Sequence, residues 1–318
     1  MSFSSNVKEE LSGIVPGARH CALAELSAIV SLCGRIEINA RDEYRLFIHT
    51  ENETVARKFF TILQKAFNIS SEVSVRKLKN SNLYTVYVGS PKEAERVLRS
   101  TKLLDASGEI REDLSLISNI IIQQVCCKRA FLRGAFLSAG SISDPEKGYH
   151  FEIVTPDEPK AEQVRGIINS FGLEGKVAAR KNHYIVYLKE GEQIADILNI
   201  MGAHVSLMSL ENVRILKEVR NSVNRQVNCE VANVTKTVNA AARQIEDINY
   251  IKDHLGFENL PEGLEEVALL RLSHPDSSLI ELTKLLGSPI GKSGMNHRLK
   301  KLSLIASELR GQKEETVC

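Results

Sequence analysis

Residues 22–34 read ALAELSAIVSLCG and residues 131–140 read FLRGAFLSAG. Each is an apolar run rich in small residues, and each stops at a glycine, the pattern of a short buried helix. Both are followed by β-type stretches. After Gly34 come 35–39 and 44–50 (YRLFIHT); after Gly140 come 141–143 and 149–155 (YHFEIVT). An amphipathic helix is expected next in each case. In the first, Val55, Phe59, Ile62, Leu63 and Phe67 recur at helical spacing over 53–67; in the second, Ala161, Val164, Ile167, Ile168 and Phe171 do so over 158–171. Two further strands follow (72–77 with 83–89, and 176–180 with 184–189), then a closing helix at 91–100 and at 192–201. The order α-β-β-α-β-β-α thus occurs twice, with the two stop glycines 106 residues apart. A period of this kind marks duplicated supersecondary units.

The bulk properties frame this repeat. With 318 residues, the chain has room for about two domains. The reading is an α+β, two-repeat domain followed by an all-α one: an N-terminal helix (1–19), the repeat domain (20–202, with repeats 20–100 and 128–202), a helical connector (203–258) and a C-terminal helical domain (259–318). The net charge is only +1, so any nucleic-acid surface must be local rather than global. Aromatics are 5% of the chain and Trp is absent, which argues against a base-stacking platform for single strands. The cysteines at 21, 33, 126, 127, 229 and 318 form no CxxC pair. Cys126 and Cys127 lie in an apolar run and read as buried thiols, with no zinc knuckle and no disulfide framework. No metal and no cofactor are expected. The N-terminal MSFSSNVKEELSGIV has no basic region followed by an apolar one, and the apolar stretch 114–127 is interrupted by Ser115, Ser118, Asn119, Gln123 and Gln124. The expectation is a cytoplasmic, nucleoid-associated protein without a membrane partner.

The small residues on the first helices carry a resemblance. Ala24, Ala28, Gly134 and Ser138 would let two helices approach closely at a two-fold-like interface. The pattern over about 20–202 resembles the two-repeat LAGLIDADG homing endonucleases, in which the motif helices pack at a pseudo-twofold and each four-stranded sheet forms half of a DNA-binding saddle. The resemblance implies an acidic residue just before each stop glycine, because Mg²⁺ takes hard oxygen ligands beside the scissile phosphates. Here those positions hold Cys33 and Ala139. Alanine ligates nothing and a thiol is a soft donor, so no catalytic residue is assigned. Asp144, in SISDPEKGYH, reads as turn chemistry. The strands offer Arg76, Lys77, Lys79, Arg180 and Lys181, but also Glu37, Glu43, Glu72 and Glu152. Residual DNA contact and a protein or small-ligand surface both remain open there.

From 207 to 255 there is no Pro or Gly, and long helix is expected, with breaks near 221–228. Val231, Val234, Val238, Ala241, Ile245, Ile248 and Ile251 form a stripe read as core. Seven Lys/Arg against four Asp/Glu between 212 and 252 make Arg220, Arg225, Lys236 and Arg243 candidate phosphate contacts, with a solvated helix face as the alternative.

After GFENLPEG (256–263) three helices are expected. The first covers 264–273. The second, 279–286, follows the cap cluster Asp276, Ser277, Ser278. A turn of Gly287, Ser288 and Pro289, with Ile290 as its apolar plug, leads to the third at about 293–302, capped by Ser293. Met295, Leu299 and Leu302 should face the core, leaving Asn296, His297, Arg298, Lys300 and Lys301 on or near the outer face with Lys292 just before it. From 287 to 302 there are four Lys/Arg and no acid. That is the equipment of a helix-turn-helix recognition helix, with Asn296 placed to read adenine, Arg298 guanine or phosphate, and Lys284 a further candidate phosphate contact. A three-helix bundle with a solvated basic face is the alternative.

The whole combination resembles the WhiA family of sporulation and cell-division transcription regulators of Gram-positive bacteria. The stretches that carry it are CCKRAFLRGAFLSAGSISDPEKGYHFEI (126–153), RQVNCEVANVTKTVNAAARQ (225–244) and IGKSGMNHRLKKL (290–302). The resemblance implies a DNA-binding regulator without nuclease activity, with double-stranded DNA and other regulators or RNA polymerase as candidate partners. A monomer is expected, since the repeat domain on the same chain could supply the second contact that a single helix-turn-helix needs. A metal-dependent LAGLIDADG-type endonuclease and a division-associated interaction scaffold are the alternatives.

Overall fold

The computed structural model describes residues 2–41, 43–79, 81–104, 120–287 and 290–316. The expected turn residues Ser288 and Pro289, the first part of the apolar stretch 114–127, and Cys318 lie outside them. The chain divides into two compact units, Met1–Lys217 and Glu218–Cys318.

The first unit opens with α1 (Phe3–Gly13), capped by the Ser2 hydroxyl, which accepts the Ser5 N–H at 3.1 Å. The first repeat is α2 (Arg19–Cys33), β1 (Gly34–Ile38), β2 (Tyr44–Thr50), α3 (Glu53–Phe67), β3 (Glu72–Lys77), β4 (Asn82–Val88) and α4 (Pro91–Ser100). The second is α5 (Val125–Ala139), β5 (Gly140–Ile142), β6 (Phe151–Thr155), α6 (Glu158–Asn169), β7 (Lys176–Arg180), β8 (His183–Leu188) and α7 (Gly191–Met201). Each repeat carries one antiparallel four-stranded sheet. The strand orders are β1-β2-β4-β3 and β5-β6-β8-β7, so the duplication read from the sequence is a duplication of topology. The registers match too: Leu46 pairs Val88 and Ile48 pairs Val86, as Phe151 pairs Leu188 and Ile153 pairs Val186. These eight side chains are buried on the helix-facing side, as the period-two pattern requires.

Helices α2 and α5 pack along each other at the centre. Gly134 makes this possible: a Cβ there would lie 2.4 Å from the Glu25 carbonyl oxygen and 3.1 Å from the Ala28 Cβ. The contact also buries charge. The Glu25 carboxylate sits 3.1 Å from Lys58 Nζ and 3.3 Å from Arg133 Nε. Lys58 also donates to the Ile14 carbonyl and Arg133 to that of Met201. Burial pushes the Glu25 carboxyl up and the Lys58 ammonium down from their ordinary values.

Helix α8 (His204–His254) is one unbroken 51-residue helix. Its first turn has exposed backbone donors, and Glu10 of α1 accepts them, from Val205 N at 2.7 Å and Ser206 N at 2.9 Å. The expected break near 221–228 does not occur, since the polar residues there are all compatible with helix and no Pro or Gly interrupts them. The valine stripe needs a second correction. Val231, Val234 and Val238 are 58%, 63% and 56% exposed; the stripe turns inward only from Ala241 on, with Ile248 and Ile251 fully buried. Periodicity marks an apolar face but not what covers it, and every residue from 218 to 240 is exposed.

In the second unit the end of α8 joins α9 (Glu265–Ser273), α10 (Leu279–Leu285) and α11 (Lys292–Thr316). Ile248, Ile251, Leu264, Val267, Ala268, Leu282, Leu286, Met295, Leu299, Leu302 and Ala306 form its core. Among the described residues no helix is long and apolar enough to cross a membrane.

Candidate nucleic-acid interface

The entry into α10 is fixed by local chemistry. Ser278 and Glu281 form a reciprocal capping box at the start of α10: the Ser278 hydroxyl accepts the Glu281 N–H at 3.3 Å, and the Glu281 carboxylate accepts the Ser278 N–H at 2.7 Å. These bonds favour the charged form and hold the Glu281 carboxyl below its ordinary range. Just upstream, Arg271 is 2% exposed. Its guanidinium donates to Gln244 Oε1 at 3.0 Å and to the carbonyls of Ser277, Pro275 and His274 at 2.7, 3.4 and 3.5 Å. One buried cation thus gathers the whole loop between α9 and α10 and ties it to α8. Nothing in the sequence distinguished Arg271 from a surface arginine.

Helix α11 begins at Lys292 and runs to Thr316, well past the expected end at Leu302, because Ala306 and Leu309 continue the packed face. Ser293 therefore stands inside the first turn rather than at the cap. Met295, Leu299 and Leu302 are buried, as their spacing demanded. Ile290 packs on the core from the turn side. Lys292, Ser293, His297, Lys300 and Lys301 are exposed and Asn296 is half-buried. Ser293, Asn296, His297 and Lys300 recur at steps of three and four, so they share one face. Arg298 is the exception to the expected outer face. It is half-buried and donates to the Gly263 carbonyl at 3.1 Å, fastening α11 to the loop before α9. Further along, Arg310 pairs with Asp247 at 2.8 Å and lies over the Tyr250 ring. The remaining candidate phosphate contacts, Lys284 on α10 and Arg220, Arg225, Lys236 and Arg243 on α8, are all exposed.

In the first unit, the positions implied for catalytic acids close the two central helices. Cys33 is the last residue of α2, and its thiol donates to the Ile29 carbonyl at 3.1 Å. Burial raises that thiol to about 11, against a hydrogen bond with Ser138 and the charge of Lys8. Ala139 ends α5. Asp144 accepts the Glu146 N–H at 3.0 Å in the loop between β5 and β6, the turn role its sequence suggested.

The other ends of these helices hold a group that the sequence reading missed. The ligand atoms of His20, Cys21, Cys126 and Cys127 all lie within 4.8 Å of one another. Cys127 is buried, but Cys126 is exposed, which corrects the reading of both as buried thiols. The search for CxxC spacing could not find a set drawn from two segments. One signal was present: His20 to Cys126, and Cys21 to Cys127, repeat at the same 106-residue spacing as the stop glycines.

Comparison with known proteins agrees with this architecture in each part. The WhiA N-terminal LAGLIDADG-like domain matches residues 19–104, the WhiA LAGLIDADG-like domain residues 128–220, and the WhiA C-terminal HTH domain residues 223–306. The chain is similar to the probable cell division protein WhiA of Lachnoclostridium phytofermentans, at 55% identity over 98% of this chain and 100% of that one. The protein of the same description from Thermoanaerobacter pseudethanolicus is 48% identical, over 98% of each. Among solved structures, full-length DUF199/WhiA from Thermatoga maritima superposes with a TM-score of 0.60 at 27% identity, covering 97% of this chain and 99% of that one. With three domain matches in the family's order and relatives of this identity over nearly the full length, the chain belongs to the WhiA family.

Proposed function

We propose that this chain is a sequence-specific double-stranded DNA-binding regulator of transcription, acting on cell-division and sporulation genes, without nuclease activity. The observation that carries the reading is the outer face of α11. Its first three turns present Lys292, Ser293, Asn296, His297, Lys300 and Lys301, and there is no acidic side chain from 287 to 302. A helix entering the major groove needs such a face: polar ends that can reach base edges, cations for the flanking phosphates and a free helix N-terminus for one phosphate more. Arg298 is occupied by Gly263, so its part is to set the pose of the helix, and base reading falls to Asn296, His297 and Ser293. Lys284, Arg220, Arg225, Lys236 and Arg243 are the further phosphate contacts in this reading. The link to division rests on what the relatives are named.

Fluorescence anisotropy against a genomic site found by occupancy mapping tests the reading. Each lysine on a phosphate contributes about 0.9 to the slope of log K against log salt. The Lys292→Ala/Lys300→Ala/Lys301→Ala variant should bind more weakly, with its slope flattened by about three. Unchanged affinity and slope would refute the recognition role of α11.

The absence of cleavage rests on Cys33 and Ala139, which offer a protonated thiol and a methyl group where the LAGLIDADG resemblance implies carboxylates. Incubation with supercoiled plasmid and target duplex in Mg²⁺ or Mn²⁺ should give no cut. Cleavage that disappears in Asp144→Ala would overturn this part.

A further inference from the structure

We propose that His20 Nδ1 and the Sγ atoms of Cys21, Cys126 and Cys127 hold one tetrahedral Zn²⁺ ion, which clamps the N-terminal ends of α2 and α5. His20 and Cys21 are the second and third residues of α2, and Cys126 and Cys127 are the second and third of α5. The duplication thus places two ligands at the same turn of each central helix, and the close packing at Gly134 brings those turns together. The distances suit one ion. His20 Nδ1 lies 3.1 Å from Cys127 Sγ, 3.4 Å from Cys21 Sγ and 4.0 Å from Cys126 Sγ, and no pair among the four exceeds 4.8 Å. Tetrahedral zinc with Zn–S near 2.3 Å and Zn–N near 2.0 Å sets N to S edges of about 3.5 Å and S to S edges of about 3.8 Å. Small side-chain rotations suffice to reach them.

The donor set selects the metal. Three thiolates and an imidazole are soft and borderline ligands, which favour zinc and disfavour Mg²⁺ or Ca²⁺. An iron–sulfur cluster needs its cysteines spread around several irons, whereas these atoms surround a single point. Four protein ligands also make a closed, structural site with no open position for chemistry. Three thiolates and one Zn²⁺ carry a net charge of −1. Two helix N-termini, with their free N–H groups and positive dipole ends, stand beside it. Arg129 and Arg133 line the cavity onto which Cys21 and Cys126 open, and that cavity is the route of entry for the ion. Without a cation, burial and the neighbouring Cys126 and Cys127 push the Cys21 thiol up to about 12. A bound divalent cation reverses that and deprotonates the thiols.

The rival for the same geometry is a disulfide between Cys21 and Cys126 or Cys127, which would leave His20 and the third cysteine without a part. The test uses the full-length chain, expressed without a metal-binding tag and purified under reducing conditions. Zinc per chain is measured by elemental analysis, and the metal-stripped, reduced protein is titrated with Zn²⁺ and Co²⁺. About one zinc per chain is expected, with thiolate-to-cobalt charge-transfer bands on cobalt uptake and a higher Tm with either ion. The Cys21→Ser/Cys126→Ser variant should lose both the zinc and the bands, and Cys229→Ser, at an exposed site on α8, should keep them. No uptake by the reduced wild-type chain with a native circular dichroism spectrum would overturn the proposal. So would zinc retained in Cys21→Ser/Cys126→Ser, stoichiometric iron in place of zinc, or a Cys21 disulfide that accounts for the thiols.

Discussion

Replacing Gly134 by alanine adds a methyl group at the closest point of the α2–α5 contact. The new Cβ would stand 2.4 Å from the Glu25 carbonyl oxygen and 3.1 Å from the Ala28 Cβ. Comfortable carbon contacts begin near 3.5 Å. The helices must therefore separate by about 1 Å, and neither neighbour is a flexible side-chain end that can swing aside. Two effects oppose each other. Alanine is the better helix former by about 0.8–1.0 kcal/mol. Overpacking of a tight interface costs about 1–3 kcal/mol, and the Glu25–Arg133 pair is pulled on as well. The net expectation is a loss of about 1–2 kcal/mol. At a urea slope of about 3 kcal/mol per molar, the midpoint falls by about 0.5 M. Tyrosine fluorescence follows the first unit, which holds six of the seven tyrosines in a chain without Trp. Gly311→Ala is the control: that glycine is exposed in α11, its added Cβ meets nothing within 4 Å, and helix propensity alone should make it neutral to stabilising. A midpoint for Gly134→Ala equal to or above that of the wild type would refute the claim that close approach at this glycine sets the central helix pair.

Arg271→Met keeps the bulk of a buried side chain but strands the Ser277 carbonyl and Gln244, so it should cost about 3 kcal/mol and raise amide exchange across α10; unchanged exchange there would remove Arg271 from its organising role. At the buried ion triad, Glu25→Leu leaves Lys58 and Arg133 without a counter-charge and should cost about 3–5 kcal/mol in urea melts. Lys58→Met should cost less, since Glu25 keeps Arg133. It should also steepen the pH dependence: burial already holds the Glu25 carboxyl above its ordinary value and the Lys58 charge opposes that, so without Lys58 the folded chain keeps a proton the unfolded chain releases over a wider range, and stability falls more as pH rises out of the usual carboxylate range. Equal losses from the two substitutions, independent of pH, would count against this account.

Local signals carried much of the fold. The glycine-stopped apolar runs, the alternating strands and the 3.6-residue stripes depend on neighbours within a few residues, and they placed every element of both repeats and the three C-terminal helices. They failed where the answer depended on a distant partner. The valines at 231, 234 and 238 have the spacing of a core face but lie exposed, because nothing among the described residues packs on that part of α8. Arg298 has the position of an outward base reader, yet the Gly263 carbonyl takes it, since a long guanidinium reaches whatever acceptor the loop packing brings near.

By itself, the sequence determined the duplication, the placing of Cys33 and Ala139 just before the two stop glycines, and the basic face of α11, because each is a matter of residue type at a fixed spacing. Only the tertiary structure decided that Arg271 is the buried centre of the α9–α10 loop, and that His20, Cys21, Cys126 and Cys127 meet at one point. The physical reason is the same for both. A ligand set or a buried cation is defined by distances in space, and here those distances are closed by helix packing across 106 residues of chain in one case and by a loop folding back on its own helix in the other.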